Sequence, residues 1–358
     1  MRVLVIKLGA LGDFIQALGP MACIRQAHPQ AEITLLTTPP FEAVAHASNG
    51  FDLVDTDGRP RGWRAQVRLL RRLRRANYDR VYDLQTSKRS STYYYALWPK
   101  RPQWSGIARG CSHPHQNPAR NLMHTLERQA EQLRDAGIWD EAPVTPGAAP
   151  PPDLGWMIDH ADPKSAGGIQ SPFALLAPGG SAGRPDKRWS ASRYAGLARS
   201  LLESGLGVGV IGGPAEPELA GSIVAEAEGA LDLTATNLFD IAALAARASL
   251  CVGNDTGPTH LIASMGTPTL SLFSHASDPA LCAPRGSRAA FVRRQHLDDL
   301  TLEEVLGLVE DLRRPDAKGY AAPFPSADAG TPDSAQPQSV PTDACRPGRT
   351  SRPEGRRR

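Results

Sequence analysis

The sequence predicts an α/β protein built as two doubly wound domains in series, and three observations carry that expectation. Short apolar runs rich in β-branched residues alternate with segments long enough for helices, the pattern of parallel strands joined by crossover helices. The alternation stops at Ala142 to Asp153 (APVTPGAAPPPD), whose prolines suit neither a helix nor a central strand, and it restarts afterwards. A chain of 358 residues that is 41% hydrophobic has the length and the apolar content for two cores.

The first strand is Val3-Leu4-Val5-Ile6, a continuous apolar run suited to burial on both faces. Strands over Glu32 to Thr37, Asp52 to Asp55 and Arg80 to Leu84 complete the expectation for a first domain, residues 1–150. A second domain, residues 151–314, is expected to contain strands at Phe173 to Ala177, Gly207 to Ile211, Leu231 to Leu233, Leu250 to Gly253 and Thr269 to Phe273. Its last helix, Leu302 to Leu312, opens with Thr301-Leu302-Glu303-Glu304, a capping box in which Thr301 and Glu304 each satisfy a free backbone N–H. Residues 315–358 are rich in proline and end in three arginines; they bury too little to offset ordering and read as a disordered tail. No period of about 20 to 50 residues links the halves, so they share an architecture rather than a sequence repeat.

Composition narrows the function. A net charge of +3 with 22% charged residues lacks the basic excess of a nucleic-acid binder, so no nucleic-acid partner is expected. Five scattered cysteines without a CxxC pair argue against both a disulfide framework and a zinc site. With no apolar run of about 20 residues and no leader-like amino terminus, a cytoplasmic protein is expected.

Four segments have the makings of a site. In Lys7-Leu8-Gly9-Ala10-Leu11-Gly12-Asp13, Gly9 and Gly12 permit a tight turn between strand and helix, and the helix N-terminus favours an anion or sugar. Asp13 stands at the carboxyl rim of the sheet, where it either faces a ligand or caps its helix. Ala177-Pro178-Gly179-Gly180-Ser181 followed by Lys187-Arg188-Trp189-Ser190 offers a Gly-rich turn and a point charge for a phosphate; a solvated loop is the alternative. Gly253-Asn254-Asp255-Thr256-Gly257-Pro258-Thr259-His260 is the most specific segment. A strand, a polar turn and a proline-opened helix there present Thr256, Thr259 and backbone donors as a diphosphate cradle, with Asp255 for sugar hydroxyls. His260 donates to a phosphate oxygen or a leaving group, or is a satisfied structural histidine. Glu216, ending Ile211-Gly212-Gly213-Pro214-Ala215, binds a ribose diol or starts the next helix. Neither a GxGxxG turn nor an acid ending the second strand is present, which disfavours a nicotinamide oxidoreductase.

Two further patterns have weaker claims. Asp55-Thr56-Asp57 matches a metal-binding DxD pattern but follows a strand of the first domain, and reads as a strand-end turn. A helix over Arg61 to Arg75 would place Trp63, Val67, Leu70 and Leu73 on an apolar face and Arg64, Arg68, Arg71 and Arg75 on another. That basic face is either simply solvated or a match for a phosphorylated, lipid-linked acceptor at an anionic membrane surface.

Taken in order, KLGALGDFIQALGP, APGG with KRW, IGGPAE and NDTGPTHLIASMGTPTLSLF resemble the ADP-heptose:lipopolysaccharide heptosyltransferases, glycosyltransferase family 9, over about residues 1 to 312. The resemblance implies a GT-B architecture, two Rossmann-like domains facing a central cleft, with the acceptor on the first and the nucleotide-sugar on the second. Asp13 matches the family's catalytic base, Lys187 its phosphate-binding lysine, and Asp255, Thr256, Gly257, Thr259 and His260 its donor loop. Glu216 matches its ribose-binding glutamate. Pro258 lacks an N–H and so removes one potential phosphate donor. The implied reaction is an inverting transfer of heptose, or a related sugar, from an ADP-sugar to a lipopolysaccharide core acceptor at the inner membrane face, without metal or cofactor. Another nucleotide-sugar or glycolipid acceptor, and a non-catalytic nucleotide-sugar-binding homologue, are the alternatives.

Overall fold

The computed structural model describes residues 1–162, 164, 168–180, 183–213 and 216–314; the expected tail, 315–358, lies outside them. The first sheet contains β1 (Arg2–Ile6), β2 (Glu32–Leu36), β3 (Leu53–Asp55), β4 (Arg80–Asp83), β5 (Gln103–Gly106) and β6 (His113–Pro114), in the order β3-β2-β1-β4-β5-β6. The second contains β7 (Phe173–Ala177), β8 (Gly207–Val210), β9 (Leu231–Asp232), β10 (Leu250–Asn254), β11 (Thr269–Phe273) and β12 (Ala289–Arg293), in the order β12-β11-β10-β7-β8-β9. Every pairing is parallel. Counted from its own first strand, each sheet has the 3-2-1-4-5-6 order of a doubly wound fold, whose ligand crevice lies where the order reverses. Those reversals fall between β1 and β4 and between β7 and β10.

The helices are α1 (Leu11–Ala27), α2 (Glu42–Ala47), α3 (Trp63–Ala76), α4 (Lys88–Ala96), α5 (Thr125–Asp135), α6 (Ala191–Glu203), α7 (Pro217–Glu226), α8 (Leu238–Arg247), α9 (Gly257–Ser264), α10 (Pro279–Cys282) and α11 (Leu302–Arg313). The capping box read at α11 is formed: Thr301 Oγ1 accepts from Glu304 N at 3.2 Å, and Glu304 Oε2 from Thr301 N at 2.8 Å. Likewise Ser190 caps α6, its Oγ accepting from Arg193 N.

Alternation along β1 sorts its side chains. Val3 and Val5 face a cluster with Phe14, Leu18 and Leu133, while Leu4 and Ile6 face another with Leu69, Leu73 and Trp104. The first of these clusters continues without a break into the second half of the chain, taking in Leu175, Ile241, Leu261 and Ile262. Helix α1 is therefore apolar on more than one side, since it packs on its own sheet and on α9 of the other half.

Two expectations need correction. β5, β6 and β12 were not anticipated; Gln103–Gly106 has a single large apolar residue, Trp104, and gives no periodic signal. In α3 the core-facing pair is Leu69 and Leu73, four apart, whereas Trp63 is 72% exposed, so the apolar stripe is rotated from the one expected. Cys111, Cys251 and Cys282 are free thiols.

Candidate active site

The two order reversals bring these sequence segments to one place. Asp13 lies in the first turn of α1, directly after β1, and the helix cap is Ala10, with no side-chain cap bond; Asp13 is not the N-cap. Gly9 has φ +104°, a conformation that side chains resist, and Phe41 packs beside it. Gly12 makes room for a residue rather than a ligand: His260 of α9 occupies the space a Cβ would need. Across the same contact, Gly257 lies against Leu11, so the first turns of α1 and α9 touch.

On the second sheet, Lys187 Nζ is 2.5 Å from Asp255 Oδ2, and His260 Nε2 is 3.4 Å from Asp255 Oδ1. Burial by itself would raise the Asp255 pKa; the hydrogen bonds of His260 and Lys187, with the Lys187 charge, outweigh it and hold the carboxyl far below the usual range. Asp255 is thus an anion at neutral pH. Thr256 is the N-cap of α9 without a side-chain cap bond. Thr259, by contrast, is buried, and its hydroxyl donates to the Asn254 carbonyl at 2.8 Å, so it stiffens the turn rather than facing a ligand.

Glu216 accepts from Gly180 N at 2.8 Å and from Gly213 N at 2.7 Å, which joins the turns after β7 and β8. Although it precedes α7, it makes no side-chain cap bond there. Asn254 was not singled out from the sequence, yet it organises this half: its Nδ2 donates to the Pro178 and Gly179 carbonyls, and its Oδ1 accepts from Trp189 N and Tyr194 Oη. Lys187 is placed through that neighbouring Trp189.

The first sheet adds charges to which no motif assigned a role. Lys7 is buried at the end of β1, and burial lowers its pKa, partly offset by nearby Asp13. Arg128 on α5 is likewise lowered by burial and coupled to Asp13. Asp83 ends β4 fully buried, its pKa raised to about 6 by burial, with Oδ1 accepting from Gln85 N and Thr86 N. Gln16 on α1 approaches His260 Nδ1 at 3.2 Å. Its spacing of four from Gly12 puts both on one helix face, the sole sequence signal for it.

The basic helix stays outside this cluster. Leu69 and Leu73 pack α3 on the Leu4 and Ile6 face of the sheet, opposite the face that meets α9. A crossover helix leaves the carboxyl rim of a parallel sheet, so Arg64 begins near the rim and Arg75 ends far from it. All four of Arg64, Arg68, Arg71 and Arg75 are exposed. Arg72 grips Asp55 through two bonds of 2.8 and 2.9 Å and also reaches Asp57, so the Asp55-Thr56-Asp57 turn is engaged structurally.

Residues 66–306 match the sequence profile described as glycosyltransferase family 9 (heptosyltransferase). The chain belongs to glycosyltransferase family 9. A lipopolysaccharide core heptosyltransferase of Haemophilus influenzae is 24% identical over 297 residues, 78% of this chain and 80% of that protein. Lipopolysaccharide heptosyltransferase 1 of Pseudomonas aeruginosa is 27% identical over 297 residues, 76% and 78% of the two chains. Among solved structures, the ADP-heptose lipopolysaccharide heptosyltransferase II of E. coli aligns with a TM-score of 0.69 at 21% identity, over 87% of this chain and 98% of that one. An E. coli heptosyltransferase with ADP gives 0.69, also at 21%, over 87% and 100%. This glycosyltransferase accordingly has the GT-B architecture. Among the described residues no helix is long and apolar enough to cross a membrane.

Proposed function

We propose that this family 9 glycosyltransferase moves a heptose from ADP-heptose to a lipopolysaccharide core acceptor with inversion, the acceptor held by residues 1–150 and the donor by 151–314. The observation that carries the reading is the juxtaposition, through touching helix N-termini, of Asp13 from one sheet and the Lys187/Asp255/His260 cluster from the other. A sugar nucleotide brings its own leaving group, so the protein must supply a proton acceptor and a positive environment for the departing diphosphate. Asp13 takes the proton from the attacking acceptor hydroxyl as the new bond to the anomeric carbon forms; the anomeric carbon–phosphate bond breaks and ADP leaves with the electron pair. Lys187 and the free N–H groups opening α9 stabilise that charge. Asp255 holds Lys187 and orients sugar hydroxyls, and Glu216 binds the ribose diol at the turns it already joins. Buried Lys7 and half-buried Arg128, each interacting electrostatically with Asp13, suit an anionic acceptor. The exposed arginines of α3 support a further reading, that this face meets an anionic membrane surface.

The test is nucleotide release from a panel of sugar donors with and without core acceptor. ADP released from ADP-heptose only when acceptor is present is the expected result; release from a different nucleotide-sugar, or none from any, overturns the donor assignment.

A further inference from the structure

We propose that Gln16 is a positioning residue that sets the tautomer of His260 across the cleft, and so keeps the donor-side cluster in order only while the two halves are docked. The inference rests on the reading of the Asp255–His260 turn as the donor site.

The hydrogen-bond geometry leaves one arrangement. Gln16 Nε2 is 3.4 Å from the Ala283 carbonyl oxygen and 3.2 Å from His260 Nδ1. A carbonyl only accepts, so the amide nitrogen must face Ala283, and its second N–H then points at the imidazole. His260 Nδ1 is therefore the acceptor and the ring proton is on Nε2. That proton faces Asp255 Oδ1 at 3.4 Å. In the other tautomer a lone pair would face the carboxylate instead. The orientation of Gln16 is itself held, because Ala283 O also accepts from His124 Nε2 at 2.9 Å, on the helix-capping residue of α5. Gln16 and His124 belong to the first half of the chain, Ala283, His260 and Asp255 to the second.

The Gln16–His260 contact is shielded from water. Gln16 is 2% and His260 5% exposed, so no solvent molecule substitutes freely for a lost amide. Among the described residues Gln16 Oε1 has no hydrogen-bond partner, so the amide is held through its nitrogen alone. The chain of contacts runs Gln16 to His260 to Asp255 to Lys187: an acceptor-side residue holds the ammonium proposed to meet the diphosphate.

The experiment uses the full chain with ¹⁵N-labelled histidine, and long-range proton–nitrogen correlation spectra. His260 is identified by the signal missing from His260→Asn. In the parent, Nε2 should carry the proton and Nδ1 should not. Gln16→Leu should give the averaged shifts of mixed tautomers and weaken ADP binding roughly three- to tenfold, the scale of one net hydrogen bond. Gln16→Glu should protonate Nδ1 as well, by placing an anion beside it. Melting curves establish that each variant is folded. A parent with its proton on Nδ1, or a folded Gln16→Leu with unchanged His260 shifts, overturns the proposal. Failure of the donor-site reading looks different: His260→Asn would then bind ADP as the parent does, whatever the tautomer.

Discussion

Gly12 and His260 occupy the same space: a Cβ added to Gly12 would lie 2.6 Å from His260 Cδ2. The two residues come from different halves of the chain, so the absence of a side chain at Gly12 sets how closely the sheets' leading helices approach. Gly12→Ala is expected to push α1 from α9 and to destabilise by about 1–3 kcal/mol, the range for overpacking. Thermal melting of the variant should show that loss, with a raised Michaelis constant for the sugar nucleotide. A normal melting temperature would mean that the helices part without cost.

Asp13→Asn keeps shape and one hydrogen-bonding oxygen but removes the proton acceptor. Transfer should fall about 100-fold or more, the usual contribution of a general base, with donor affinity within a few-fold of the parent. Steady-state rates beside ADP titrations decide it, and a variant retaining more than about a tenth of the rate would move the role elsewhere.

Lys187 and Asp255 form a largely buried pair, with 12% and 8% of their side-chain surface exposed. Lys187→Ala strands the carboxylate with His260 alone, whereas adding Asp255→Asn removes the stranded charge. Chemical unfolding should show a loss of up to about 3–5 kcal/mol in the single variant and partial recovery in the double. Equal stability of the two would show that the pair is not coupled in the folded state.

Asp83 gives the protein a pH-dependent component with a definite sign. Its folded pKa is raised from 3.8 to about 6, so the folded chain keeps a proton that the unfolded chain releases. Stability from this group is greatest below about pH 4 and falls as pH rises through about 6, by ~3 kcal/mol in all. Asp83→Asn cannot titrate and should lack that decline. Urea midpoints between pH 4 and 7 for parent and variant should diverge by this amount; parallel curves would mean that Asp83 is charged throughout.

Charge reversal of Arg68, Arg71 and Arg75 to glutamate is expected to weaken binding to anionic vesicles by more than a hundredfold at low salt, at about 1 kcal/mol for each basic residue near the surface. The difference should shrink as salt rises, and ADP binding should not change, because α3 packs away from the α9 contact. Co-sedimentation with vesicles reads the first effect; an unchanged result at low salt would leave the arginines as an ordinary solvated face.

The parts of the fold legible in the sequence were those with a local cause. Val3–Ile6 and Phe173–Ala177 are apolar throughout because both faces are covered, and Thr301 with Glu304 declares its own helix start. The glycines at 9 and 12 are legible as tight turns and Gly257 as part of a donor loop, but the sequence does not say what packs against them. Their neighbours, Phe41, His260 and Leu11, come from elsewhere in the chain, so a contact first read as ligand-facing at Gly12 is one between halves. Thr259 was read as a free hydroxyl because nothing local reveals that Asn254 O lies within its reach. Arg128 and Gln16 escape the sequence for a similar reason: each owes its importance to Asp13 or to His260, and even inside KLGALGDFIQALGP nothing local to Gln16 says what it meets.

The apolar cluster that runs from Val3 through Phe14 to Leu261 and Ile262 has a consequence for how the molecule comes apart. Neither half can melt without baring a face that the other covers, so heat should undo both in a single calorimetric transition, with calorimetric and van't Hoff enthalpies in agreement. The same seam limits how the cleft can work. A wide hinge opening would wet this apolar layer at ~25 cal/mol for each Å² exposed, whereas a slide of α1 along α9 keeps it dry. Opening by a wide hinge is therefore expected to cost this chain more than a small shear.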